Sequence, residues 1–142
     1  MINPDKHIRK AFYNRLTAAG LQVFDTAVPK SYEPGPKYII ITNQTQVDDQ
    51  LGRACTHRDC TIVLDLFVLQ DLSYVSSAVM DDFYEQVMNL IDNTLQVENF
   101  QLHSIQRDGT PRNMPVNTGT LSILRKVITY RLRLKELTHV EP

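Results

Sequence analysis

Cysteine is scarce in this chain, two in 142 residues, too few for a disulfide framework. Long apolar runs are missing too. Segments such as Tyr38-Ile39-Ile40-Ile41 fall far short of the ~20 residues that a bilayer-spanning helix needs, so no membrane partner is expected. The start, Met1-Ile2-Asn3-Pro4-Asp5, has neither the basic nor the apolar stretch of a secretory signal, and a reducing compartment is the expectation. No excess of one charge exists: 15 Lys and Arg stand against 16 Asp and Glu, so the chain as a whole is no polycation built for nucleic acid. The five glycines, Gly20, Gly35, Gly52, Gly109 and Gly119, are isolated, which leaves no phosphate-cradling loop. What is present is a globular balance, 42% hydrophobic and 22% charged. The length fits a single domain over residues 1–142, able to bury roughly two-thirds of its unfolded surface.

Hydrophobic periodicity divides the chain. Residues 5–19 are predicted as a helix capped by Asp5, with Ile8, Ala11, Phe12, Arg15, Leu16 and Ala19 at helical spacing and Gly20 as the stop. A short strand over 21–28 and a Pro-rich loop over 29–36 follow. Strands over 38–47 and 56–70 are predicted to pair as an antiparallel hairpin through a polar connection over 48–53. In the second of them Cys60, Ile62, Leu64, Leu66 and Val68 alternate with Asp59, Thr61 and Asp65, the period of a strand with one buried face. A helix over 74–95, capped by Ser73, presents Val75, Val79, Phe83, Val87, Leu90, Ile91 and Leu95 as its apolar stripe. Strands over 100–107 and 121–137 close the chain, with a loop over 108–119 between them. The last strand sets Leu124, Ile128, Tyr130, Leu132 and Leu134 against Arg125, Thr129, Arg131, Arg133 and Lys135.

The order αβββαββ predicts an α+β fold, an antiparallel sheet with two helices packed on one face. Such a sheet can leave its other face to water or a partner. The expected core joins Ile62, Leu64, Leu66 and Val68 to Phe83, Val87 and Leu90 and to Ile128, Tyr130 and Leu132.

Reactive side chains do not gather into a site. Cys55, His57 and Cys60 lie within six residues, but zinc takes about four ligands. Strand alternation also sends Cys60 to the face opposite Cys55 and His57, which argues equally against a Cys–His nucleophile pair. His7, His57, His103 and His139 are scattered, and Asp65 and Asp71 sit on a strand's polar face and at its end. No catalytic residue, cofactor or metal is expected, and no enzymatic turnover.

Charge is unevenly placed. From Cys60 to Asn99 there are seven acids and no Lys or Arg, and from Phe100 onward seven bases against three acids. These are either solvated faces or complementary patches that bring copies together head to tail, one subunit's acidic helix side near the next one's basic strand. The loops over 29–36 and 108–119 exceed their local need, as functional loops do. Lys30, Tyr32 and Glu33 in the first, Arg112, Met114 and Val116 in the second, and Arg131 and Arg133 on the basic strand are the expected subunit or partner contacts.

The succession of parts carries a resemblance. A leading helix ends in Leu21-Gln22-Val23-Phe24-Asp25, and a Pro-rich loop feeds Pro36-Lys37-Tyr38-Ile39-Ile40-Ile41. The strand Thr61-Ile62-Val63-Leu64-Asp65-Leu66-Phe67-Val68, one long helix and a strand ending Thr129-Tyr130-Arg131-Leu132-Arg133-Leu134 follow. Over residues 5–137 this resembles the tail terminator and tail-completion, or head–tail joining, proteins of long-tailed bacteriophages. The resemblance implies a structural virion protein at the head–tail junction, present in the host cytoplasm before assembly. It implies a homo-oligomeric ring, commonly a hexamer, that caps the tail tube, stops its polymerisation and joins it to the head. Its partners would be the tail tube protein and a head-completion or connector protein, with DNA passing through the channel without sequence-specific binding. An acidic channel lining would repel phosphates. Other neck-ring proteins, or a non-viral cytoplasmic binding module, are the alternatives.

Overall fold

A computed structural model describes residues 2–48, 57–73 and 75–137. The expected positions of Cys55, His139, the start of the second helix at Tyr74 and the connection over 49–53 lie outside them. The chain folds as α1 (Pro4–Ala18), β1 (Val23–Asp25), β2 (Lys37–Asp48), β3 (His57–Asp71), α2 (Ser77–Leu90), β4 (Phe100–Thr118) and β5 (Leu121–Glu136). The fold is α+β: a five-stranded sheet in the order β1-β2-β3-β5-β4, with both helices contributing buried residues to the core.

α1 starts earlier than its apolar spacing suggests. Asn3, not Asp5, is the cap, its Oδ1 accepting from the Asp5 amide at 3.1 Å. Pro4 then takes the first helical position, where a missing N–H removes no helical bond. Ile8, Phe12 and Leu16 point down into the core with no exposed surface. Gly20 ends the helix in the left-handed region at φ +84°, a conformation that glycine takes without steric cost.

β1 pairs with β2 in parallel, Val23 against Ile39 and Asp25 against Ile41. This is the one departure from the expected antiparallel sheet. Residues 26–36 carry the chain back to the starting end of β1, so β2 runs in the same direction. β2–β3, β3–β5 and β4–β5 are antiparallel.

The alternation in β3 is realised as expected. Cys60, Ile62, Leu64, Leu66 and Val68 are buried beneath the helices. Of the expected core, Phe83, Val87, Ile128, Tyr130 and Leu132 are also at most 3% exposed, and Leu90 packs half-buried against them. Two charges break the pattern. Arg58 is buried on β3 and donates from Nη2 to Glu136 Oε2 at 3.1 Å, and Asp65, expected on a solvated face, is 2% exposed.

α2 is shorter than its stripe. Its cap is Ser76, whose Oγ accepts from the Ala78 amide at 3.2 Å. Ser73 instead sits in a turn, its amide donating to Asp71 Oδ1 at 2.9 Å. Val75 is exposed at 45%, and Met80, absent from the expected stripe, is fully buried. At the other end Ile91 turns to extended backbone. Ile91 and Leu95 stay buried, but on an irregular connection and not on the helix.

The expected loop over 108–119 is a strand. β4 continues through Thr118 and pairs with β5 from Arg112–Val127 to Thr118–Leu121. The turn itself is only Gly119-Thr120, with Gly119 at φ +58°. Between Asp108 and Arg112 the register shifts, and Gly109 holds φ +76° there, a bulge built on glycine's freedom. Pro111 and Pro115 fit because β4 is the outermost strand, where a missing N–H can face away from the ladder.

Candidate assembly interface on the open sheet face

Strand alternation turns one set of side chains toward the helices and the other set outward. The outward set forms a face that no described element covers. Its centre is a row crossing every strand. Tyr38, Phe67, Arg125 and Met114 are direct cross-strand partners on β2, β3, β5 and β4. Tyr38 stacks on Phe67 with centroids 4.9 Å apart and planes within 10°. Phe24 of β1 meets Tyr38 edge-on at 6.0 Å, and Tyr32 meets Phe24 at 5.4 Å. On the other side the Arg125 guanidinium lies 5.7 Å from the Phe67 centroid, an attractive cation–π arrangement.

Arg125 is held by Asp65, with Nη2 at 2.5 Å and Nε at 3.2 Å from the same carboxylate oxygen, Oδ2. Burying that carboxylate demands a charged partner, which the Arg125 guanidinium supplies, with Ile40 and Val127 as the cross-strand neighbours of Asp65. Partial burial also pushes the Tyr38 hydroxyl above its ordinary pKa. Ile40, Val63, Leu69, Ile123 and Val127 fill the surrounding positions half-buried.

The Pro-rich segment over 29–36 is tied to this face. Gln22 accepts from the Gly35 amide at 2.7 Å and donates to the Tyr32 hydroxyl at 2.9 Å. Pro36 accepts from the Leu69 amide at 2.8 Å. Tyr32 therefore reaches the central row. Lys30 and Glu33 are exposed beside it.

At the β4–β5 turn the face becomes apolar and open. Met114 is 37% exposed, Val116 50% and Leu121 41%. Leu72, 42% exposed, adjoins them through its amide bond to the Thr120 carbonyl at 2.9 Å. Arg112 stands exposed on the same strand, opposite Val127.

The opposite end is basic. Arg131 makes a two-pronged pair with Asp59, Nε–Oδ1 at 3.0 Å and Nη2–Oδ2 at 2.9 Å. Those hydrogen bonds, then the Asp59 charge, raise the Arg131 pKa further. Arg133 and Lys135 follow it, exposed. His57, the cross-strand partner of Lys135, stacks on His103 at 5.6 Å.

The structure thus joins Tyr32 and Met114 through one row, with Arg112 and Val116 beside it. It sets Arg131 and Arg133 apart, several residues along β5. Sequence reasoning missed Phe24, Tyr38, Asp65, Phe67 and Arg125. The available signal was the run from Ile62 to Leu69, apolar on both faces except at Asp65, which is the pattern of a strand covered on both sides.

Among the described residues no three His, Cys, Asp or Glu side chains are placed to hold a metal ion. A groove of about 790 Å³ between residues 93–98, Phe100–Leu102 and Leu137 contains one titratable side chain, Glu98. Among the described residues no helix is long and apolar enough to cross a membrane.

No protein-family model matches the chain, and no curated protein matches it by sequence. Solved structures do share its fold. A chain of the native gene transfer agent virion particle is similar at TM-score 0.65 and 18% identity, over 95% of this chain and 99% of its own. A second solved chain is similar at TM-score 0.56 and 17% identity, over 96% of this chain and 98% of its own.

Proposed function

We propose that the chain is a structural virion protein of a phage-like particle, acting as a ring at the end of the tail tube where tail meets head. The observation that carries this reading is the shared fold with a gene transfer agent virion chain across nearly the whole of both chains. The likeness in element order to phage tail terminators supports the position along the tail. The open sheet face supports assembly. It gathers Phe24, Tyr38, Phe67, Met114 and Arg125 on one uncovered side, and an interface centre is enriched in aromatic residues, Met and Arg. The role asks for no cofactor and no turnover.

Immunogold labelling of particles from the organism that encodes the chain tests the proposal. Label confined to the head–tail junction is the expected result. Label elsewhere on the particle would move the protein to another virion position, and particles without label would remove the virion reading.

A further inference from the structure

A cavity on the helix side of the sheet stands apart from the open face. It measures about 140 Å³ and is lined by Met88 and Ile91 at the end of α2, by Ile105, Gln106 and Arg107 of β4, and by Tyr130 of β5. Strand pairing sets Arg107 directly opposite Tyr130, and α2 brings Tyr84 against them. Arg107 donates from Nη1 to the Tyr84 hydroxyl, and its guanidinium lies 5.8 Å from the centre of that ring. Lys126 Nζ stands 4.2 Å from the same ring.

The polar groups gathered here are nearly all donors. The Tyr130 hydroxyl is buried and has no hydrogen-bond partner among the described residues. Burial pushes its pKa up to about 12, so at neutral pH it keeps its proton. The Tyr84 hydroxyl accepts from Arg107, which leaves its own proton to give. Arg107 and Lys126 only donate, and neither forms an ion pair with a described carboxylate. Asp108, next to Arg107 in the chain, alternates to the other face, where its charge acts on Arg131. A buried donor without an acceptor costs free energy. An acceptor-only group removes that cost, and an ionised carboxylate is one.

We propose that this cavity takes the carboxylate of a glutamate side chain presented by a partner protein. Met88, Ile91 and Ile105 wall it with apolar surface, which suits a methylene stem and offers nothing to a bare phosphate. Its volume is close to that of a cavity that holds benzene, room for one such side chain. Access is from the outer margin, since Arg107 is exposed and β4 is the outermost strand. An entering carboxylate meets the guanidinium first and the Tyr130 hydroxyl last, and hydrogen bonds to the ionised group are the strong kind. The inference goes beyond the ring reading and does not depend on it.

Titration of the full-length protein at neutral pH, followed by methyl NMR of Met88, Ile91 and Ile105, tests it. The probes are butyrate, inorganic phosphate, and two blocked alanine peptides that carry either one glutamate or one glutamine. Butyrate and the glutamate peptide are expected to give saturable shifts, and the glutamine peptide none. Tyr130→Phe should weaken glutamate-peptide binding at least about tenfold, the effect of one hydrogen bond to a charged group. Arg107→Gln should abolish it, with melting temperatures unchanged for both variants. If Arg107→Gln lowers the melting temperature, Tyr84→Phe replaces it, with a loss of about tenfold expected. A glutamate peptide that gives no saturable shift overturns the proposal, as does binding that survives the substitutions or is matched by the glutamine peptide. Butyrate that binds where the peptide does not would make this a site for a free small acid. Phosphate that binds more tightly than either would make it a phosphate site. Each of these results overturns the glutamate assignment.

Discussion

Tyr130 shows how much one buried hydroxyl decides. It is 3% exposed, its ring meets Phe12 at 5.7 Å, and its hydroxyl has no hydrogen-bond partner among the described residues. Burial, reinforced by Tyr84 and opposed by Arg107, pushes its pKa up to about 12. An unfolded tyrosine ionises near 10, so between those values the unfolded chain releases a proton that the folded chain keeps. The Tyr130 contribution is therefore intact below about pH 10 and is lost toward pH 12, at about 1.4 kcal/mol per pH unit. Urea unfolding of wild type and Tyr130→Phe is expected to agree within about 1 kcal/mol at pH 7, since no bond is lost. The variant should lack this component of the alkaline loss. Leu64 and Leu66 fix the register: truncating either to Ala is expected to lower stability by about 2–5 kcal/mol, read from the same unfolding curves. An unchanged stability would mean that the opposite face is the buried one. On the open face, Arg125→Ala strips the cover from the Asp65 carboxylate. With Arg125 itself 40% exposed and solvent able to screen the vacated charge, the expected loss is about 1–3 kcal/mol.

Elements with strong local periodicity were legible in the sequence, and those shaped by their neighbours were not. The alternation from Cys60 to Val68 and the spacing of Ile8, Phe12 and Leu16 name their buried faces directly, because the period depends only on the residues themselves. β4 was illegible from Asp108 onward because Gly109, Pro111 and Pro115 carry the same local signals whether the chain loops or bulges along a sheet edge. Only the presence of β5 on one side and the lack of a described strand on the other decides it. The same blindness placed the α2 cap at Ser73, three residues before Ser76, since Ser73 directly precedes Tyr74 and Val75 and so reads as the start of the apolar stripe. The strand assignment is testable. Amides of β4 that face β5 beyond Arg112 should exchange slowly by NMR, as those of a mobile loop would not. Gly109→Ala forces a side chain into the left-handed region at φ +76°, and should cost about 1–2 kcal/mol of stability.

At the scale of the whole molecule, helices on one face leave the other face to do the work. The candidate site was half visible in the sequence. Tyr32, Arg112, Met114, Val116, Arg131 and Arg133 are all on or beside that face, but nothing in a single chain says that Tyr32 and Met114 lie at two ends of one row. That row exists because Tyr38, Phe67 and Arg125, distant in sequence, are direct partners across three strands. The measurement that tests the account most directly is electron-microscope imaging of the purified full-length chain beside its Met114→Glu variant, with melting temperatures for both. Met114 is exposed, so the charge should leave folding intact while replacing an apolar side chain of the proposed assembly face with a carboxylate. The account predicts closed rings for the wild type and dispersed subunits for an equally stable variant. Dispersed subunits for both, or rings for both, would contradict it.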